Sequence, residues 1–290
     1  MIKLFASDLD GTLLNALHMV DAKILSAIRE VTESGAHFTV ATGRTFRTAG
    51  DFGLSGVDNE VVCANGSLVL DREGRVIHHG TVDAAVLEEM LLAFPQVCFE
   101  CVGLERSFVT GTAEEHEAGY RHDNLFRRIV LAGMRARAAG DSERPLYAQP
   151  PARILEHEIC KVNARIADAG LERELHAFLA GHADKVVNTP FDPVMFEITD
   201  ARVNKGASIA WLAEYLGIRP DEVAVYGDGG NDLVMLERFG HSYATRNGSD
   251  DAKRAAGTVI GSCAFHAVPR HMVRTVRAQR PQVAGYTVID

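Results

Sequence analysis

Apolar and polar positions alternate along this chain in two rhythms. Ile2, Leu4, Phe5 and Ala6 form a short apolar run of the kind that suits a strand buried on both faces. Helical spacing follows over 21–34, with Asp21 placed to cap its start and Ser34-Gly35 to stop it. HFTVAT reads as a second strand, a second helix is expected after Gly43, and EVVCANG gives a third strand ending in a turn. This βαβαβ rhythm implies parallel strands joined by right-handed crossovers. It returns beyond residue 200. There KGASIAWLAEYLG reads as a helix ending at Gly217 and EVAVYGDGGND as a strand running into a polar turn. LVMLERFG, HSYATRNG and DDAKRAAG then read as helix, strand and helix.

Between these halves the pattern changes. DAAVLEEMLLAF and LERELHAFLA have helical periodicity, whereas QVCFECVG, SFVTG, CKVNARIAD, KVVNT and VMFEIT read as strands. MRARAAGDSERPLYAQPPAR, with glycine and three prolines, reads as loop or linker. Residues 82–199 are therefore expected to form an α+β unit inserted into a parallel α/β domain built from 1–81 and 200–290. There is no internal repeat and no low-complexity tract.

A length of 290 residues accommodates two domains, each with its own core. The hydrophobic share of 47% and charged share of 24% are those of an ordinary globular protein. A net charge of −9 argues against general nucleic-acid binding, which needs a basic footprint, but leaves room for a locally positive site. No apolar run approaches the ~18–20 residues of a membrane span, and Asp8 interrupts the N-terminus too early for a signal peptide. The expected compartment is the cytoplasm. Five scattered cysteines do not form a disulfide framework. Cys98 and Cys101, three apart in an expected strand, would face opposite ways and neither chelate zinc nor cycle as a dithiol.

The chemistry gathers where strands end, which is where open α/β sheets hold ligands. The first strand runs into Asp8-Leu9-Asp10-Gly11-Thr12, the second into Thr42-Gly43-Arg44, and a later one into Gly227-Asp228-Gly229-Gly230-Asn231-Asp232. The inserted unit leads back to Asn204-Lys205-Gly206. On its own, DLDGT is equally a turn, because Asp and Gly are turn formers. It is not an EF-hand loop, since that loop's required Gly and Glu positions hold Leu13 and Met19. Carboxylates converging from two strand ends suit a hard divalent cation, and lysine, threonine and glycine-rich N–H groups suit phosphoryl oxygens. A carboxylate beside phosphorus can attack it, and a second can serve as acid and then base. P-loop, GxGxxG, HExxH and GxSxG motifs are absent.

With those residues in view, the chain resembles the haloacid dehalogenase (HAD) superfamily, and most closely its Cof-like phosphatases. DLDGTLL matches that family's first motif, ATGR its second, NKG its third and GDGGND its fourth, in the family's order. The resemblance implies a Rossmann-like parallel-sheet core with an α/β cap inserted at 82–199. It implies Asp8 as nucleophile, Asp10 as acid/base, and Thr42, Gly43, Lys205 and Asn231 around the phosphate. Mg²⁺ would be held by Asp8, Asp10 through its backbone carbonyl, and Asp228, with Asp232 orienting Lys205 or a metal-bound water. Two stretches depart from the family's pattern. Ala244–Gly248 reads ATRNG, and GSCAFHAV follows Ile260. Neither is expected to touch the chemistry, and both leave the details of the site entrance open.

The implied activity is hydrolysis of a small phosphorylated metabolite, such as a sugar phosphate, through an aspartyl-phosphate. The protein would be a monomer or homodimer. A phosphomutase on the same scaffold needs the same aspartates, and a silent binding module remains the alternative from another class. Dehalogenation has no use for Asp10 or a metal, and ion pumping needs membrane spans. Substrate selection falls to Arg44 and to the cap. In the cap, residues 121–137 carry five arginines and one acidic residue, and Arg121, Arg127 and Arg128 are candidates to grip the substrate away from its phosphate.

Overall fold

The computed structural model describes residues 1–119, 144–190 and 195–280. In chain order its strands are β1 (Leu4–Ser7), β2 (His37–Ala41), β3 (Glu60–Cys63), β4 (Leu68–Leu70), β5 (Val76–His79), β6 (Glu100–Gly103), β7 (Ser107–Val109), β8 (Ile159–Arg165), β9 (Val186–Asn188), β10 (Met195–Asp200), β11 (Val223–Gly227), β12 (His241–Ala244) and β13 (Thr258–Val259). Its α-helices are α1 (Ala22–Glu33), α2 (Ala84–Ala93), α3 (Ala113–Ala118), α4 (Pro151–Ile154), α5 (Ala169–Gly181), α6 (Lys205–Tyr215), α7 (Leu233–Arg238), α8 (Asp250–Ala255) and α9 (Ala267–Gln279).

One sheet has the order β13-β12-β11-β1-β2-β3-β4-β5. Its first six strands in that order are parallel, and β4 and β5 are added antiparallel at one edge. β1 is fully buried in the middle, as its uninterrupted apolar residues require. One face packs Phe5, Phe38, Val40 and Val61 against α1 and α9 through Ile24, Ile28, Val31, Val268 and Met272. The other packs Leu4, Ala6 and Val225 against Ile209, Leu212 and Met235. The second sheet, β7-β6-β8-β10-β9, is antiparallel. Cys101, Val162, Ala164, Phe196 and Ile198 on one of its faces pack with α2 and α5. The architecture is a mixed α/β core carrying an inserted α+β cap.

Several local expectations are corrected. No α-helix follows Gly43. The Asp51 carboxylate accepts from the backbone N–H of Arg47 (2.7 Å) and Thr48 (3.1 Å), and only a single 3-10 turn forms, at Asp51–Gly53. Those bonds hold the backbone in a turn that competes with a helix. The β4–β5 hairpin and α9 were not anticipated. The cap strand begins at Glu100, so Cys98 precedes it, and both Cys98 and Cys101 are free thiols. The described part of the proline-bearing stretch is not all loop. Leu146 bridges Phe108, and Pro151 opens α4, where its missing N–H costs nothing. Asp21 does cap α1, accepting from Lys23 and Ile24. Among the described residues no helix is long and apolar enough to cross a membrane.

Candidate active site

Asp8 leaves the end of β1 and Asp228 the end of β11. The pairing of Ser7 with Tyr226 sets these strand ends side by side, and Asp8 N–H donates to the Tyr226 carbonyl at 2.9 Å. The chain then turns sharply at Gly11, whose φ is +78°. A Cβ there would lie 2.1 Å from Asp228 Oδ2, so both conformation and space demand glycine. Thr12 Oγ1 donates to Asp228 Oδ1 at 3.0 Å. Thr245 and Asn247 donate to the Gly11 carbonyl at 3.2 and 2.7 Å. The ATRNG departure therefore braces the turn at Gly11, beside Asp228.

Lys205 is the first residue of α6, whose start Asn204 caps by accepting from Ala207 N–H at 2.8 Å. Its side chain is 1% exposed and its Nζ donates to Asp8 Oδ1 and Asp232 Oδ1, each at 2.7 Å. Asp232 Oδ2 accepts from the N–H groups of Asp228 and Gly229 at 2.8 and 2.9 Å. Both oxygens of Asp232 are thereby committed, one to the lysine and one to the loop that carries Asp228.

Asp10 points elsewhere. Arg44 grips it with two bonds, Nε to Oδ2 at 2.7 Å and the terminal nitrogen to Oδ1 at 2.6 Å, and His18 Nδ1 lies 3.8 Å away. Burial pushes the Asp10 carboxyl up, but hydrogen bonds from His18 and Arg44 outweigh it and hold the group well below its usual range. Thr42 is buried, and its Oγ1 accepts from Arg44 N–H at 3.1 Å. Beside it a Cβ on Gly43 would lie 2.8 Å from Asn65 Oδ1. Asn231 Nδ2 donates to that same Asn65 oxygen at 3.2 Å.

The acidic cluster fits a cation. Carboxylate oxygens of Asp8, Asp228 and Asp232 all lie within 4.8 Å of one another. Burial, reinforced by the charges of Asp232, Asp228 and Asp10, raises the Asp8 carboxyl well above its usual range despite Lys205. Burial, together with Asp232, raises Asp228 to about 6. One lysine thus leaves these carboxylates under-compensated. Among the described residues Asp8 Oδ2 and Asp228 Oδ2 make no hydrogen bond, which leaves two hard oxygen donors for a divalent ion.

The sequence profile of the family described as haloacid dehalogenase-like hydrolase matches residues 5–272. The chain belongs to that family. The HAD fold is likewise met in a haloacid dehalogenase-like hydrolase from B. subtilis, superposed with a TM-score of 0.77 at 24% identity over 93% of this chain and 99% of that one. Among curated proteins, Phosphatase YwpJ of Bacillus subtilis is 28% identical over 94% of this chain and 99% of its own length. HMP-PP phosphatase of Serratia proteamaculans is 25% identical over 96% and 97%. By its family and its named relatives this HAD protein is an enzyme, a hydrolase of phosphate esters.

Of the residues singled out in the sequence, the structure gathers buried Asp8, Lys205 and Asp232 and half-buried Asp228 into one cluster, with Thr42, Gly43 and Asn231 on neighbouring turns. Arg44 pairs with Asp10. Arg121, Arg127 and Arg128 lie outside the described residues. Sequence reading passed over Asn65, which at a φ of +57° joins Asn231 to the cap residue Thr189. Its Asn-Gly dipeptide was the available signal. It also passed over Lys161 and Glu197, a buried pair on the cap that reaches Gly43.

Proposed function

We propose that this protein is a Mg²⁺-dependent phosphatase that hydrolyses a small phosphorylated metabolite through an aspartyl-phosphate, an acyl phosphate formed on Asp8. The reading rests above all on one observation: Asp8, at the end of the central strand, is fixed by buried Lys205 with its second oxygen unbonded. That leaves a carboxylate oriented to attack, with a cation beside it to balance the incoming phosphate. Mg²⁺ at Asp8, Asp228 and the backbone carbonyl of Asp10 would neutralise the carboxylates and the substrate together.

Each of the chain's own groups then has a task. Lys205 supports phosphoryl oxygens from one side, and Thr42 with the N–H groups around Gly43 and Asn231 supports them from another. Asp232 holds Lys205 and the Asp228 loop in place. Asp10 passes a proton to the leaving alcohol and later takes one from water. It is ionised while Arg44 holds it, so the pair must part before Asp10 can act as an acid. A substrate phosphate is the competing anion for Arg44. Residues 1–81 and 200–290 form the catalytic core in this reading, 82–199 select the substrate, and the compartment is the cytoplasm. A sugar phosphate or a similar monoester suits the site.

Phosphate release over a panel of monoesters tests the proposal. Turnover is expected with Mg²⁺, to vanish with EDTA, and to be abolished in Asp8→Asn with the fold retained, because an amide oxygen is a far poorer nucleophile. Full activity of metal-free protein, or covalent phosphate trapped on another residue, would sink the mechanism.

A further inference from the structure

Three carbonyls follow one another after β2, and they are not held alike. The Thr42 carbonyl accepts the N–H of Asn65 at 3.0 Å, and the Arg44 carbonyl that of Ala64 at 2.9 Å, both from the core turn after β3. The Gly43 carbonyl between them takes Lys161 Nζ of the cap at 2.8 Å. Val162 faces the cap's apolar core, so alternation along β8 turns Lys161 the other way. Lys161 is 1% exposed and Glu197 2%, and Lys161 Nζ also donates to Glu197 Oε1. An ammonium is costly to bury unless it is paired. Glu197 offsets that cost and keeps the ammonium on the Gly43 carbonyl.

The peptide unit that presents the Gly43 carbonyl also carries the Arg44 N–H, which donates to Thr42 Oγ1 at 3.1 Å. A peptide is planar, so fixing its C=O fixes the direction of its N–H. An ammonium on the carbonyl also makes that N–H a stronger donor, because bonded peptide groups polarise one another. With its oxygen engaged as an acceptor, the buried Thr42 hydroxyl keeps its own proton to give. Farther along the same segment, Arg47 donates to the cap carbonyls of Gly103 and Leu104 at 2.8 and 3.0 Å. Cap and core therefore share this segment at both of its ends.

We propose that Lys161 is a positioning residue for the phosphoryl group. From the cap it fixes the Gly43–Arg44 peptide, and through that peptide the Thr42 hydroxyl, so the phosphate site is complete only while the cap is docked. Lys161 itself touches neither phosphate nor metal in this role. The inference rests on the phosphatase reading above and adds to it a cap residue that acts through Thr42.

Calorimetric binding of inorganic phosphate in the presence of Mg²⁺, with kcat/KM on p-nitrophenyl phosphate alongside, tests it in a double-mutant cycle with Thr42→Val. Lys161→Met is made together with Glu197→Met, so that no buried charge is left unpaired. The methionine pair and Thr42→Val are each expected to weaken phosphate binding ~10-fold, the ~1.4 kcal/mol of one polar contact. Combined, they are expected to weaken it little beyond that tenfold, because both remove the same hydroxyl contact. Lys161→Gln, one bond shorter, keeps a donor for Glu197 without the reach to Gly43, and it carries the cycle if the methionine pair fails to fold. A lysine that only ties the cap down would lower Tm and leave phosphate binding unchanged, and that result overturns the inference. So does a combined loss of ~100-fold, the product of two independent effects. In both cases the wild type still binds phosphate or cleaves the ester, and the phosphatase reading stands. A wild type that does neither overturns that reading and the inference with it.

Discussion

Asp10 and Arg44 pose a conflict that decides how the site works. A bidentate guanidinium pair is strong because both N–H groups align with both oxygens. Burial favours the neutral acid, yet His18 and Arg44 keep Asp10 ionised through the neutral range. In the proposed mechanism it would wait as a base and become an acid only when Arg44 is drawn away. Asp10→Asn is expected to lower the first step on an unactivated alkyl ester by ~100-fold, the low end of what general acid catalysis contributes. An aryl ester with an acidic leaving group needs little protonation, so its first step should fall by much less. Equal losses in pre-steady-state rates on both esters would show that Asp10 does not protonate the leaving group.

The elements that carry this chemistry were legible where the sequence breaks its own rhythm. DLDGT, NKG and GDGGND are polar interruptions directly after apolar runs, and strand alternation places them on one edge. What sequence could not convey is which turns close against each other. Gly66, with a φ of +101°, brings the β3–β4 turn so close to α6 that a Cβ would lie 2.6 Å from the Asn204 carbonyl. Lys161 and Glu197 look like any polar positions of half-buried strands until the cap is seated on Gly43. The helix expected after Gly43 failed because Asp51 captures the N–H groups that would have begun it. α9 was passed over although Val268, Met272 and Val276 repeat at helical spacing. At this scale the cap of α6 is open to test, since it fixes where Lys205 starts. Asn204→Ala removes the acceptor for Ala207 N–H and is expected to cost about 1 kcal/mol in chemical denaturation, with Asn204→Ser recovering most of it. An unchanged midpoint in the alanine variant would mean that the cap contributes nothing to stability.

For the molecule as a whole, the acidic cluster links stability, pH and metal. Asp8 and Asp228 have raised carboxyl pKa values in the fold, Asp228 to about 6 from an unfolded value near 3.8, because burial and neighbouring carboxylates disfavour their charged forms. The folded state therefore binds protons more tightly than the unfolded chain. In metal-free protein these groups favour folding below about pH 4, and the contribution of Asp228 is lost as pH rises through about 6. A divalent cation reverses the balance, because it binds only the ionised carboxylates and only when they are gathered by the fold. Millimolar Mg²⁺ is thus expected to raise Tm clearly at pH 8 and little at pH 5, where protons occupy the same oxygens. Asp228→Asn removes one of those charges and is expected to raise the Tm of metal-free protein at pH 8 while abolishing the response to Mg²⁺. Thermal unfolding at the two pH values, with and without the ion, checks both expectations. A Mg²⁺ shift of equal size at pH 5 and pH 8, or one that survives in Asp228→Asn, would place the ion somewhere other than between the ends of β1 and β11.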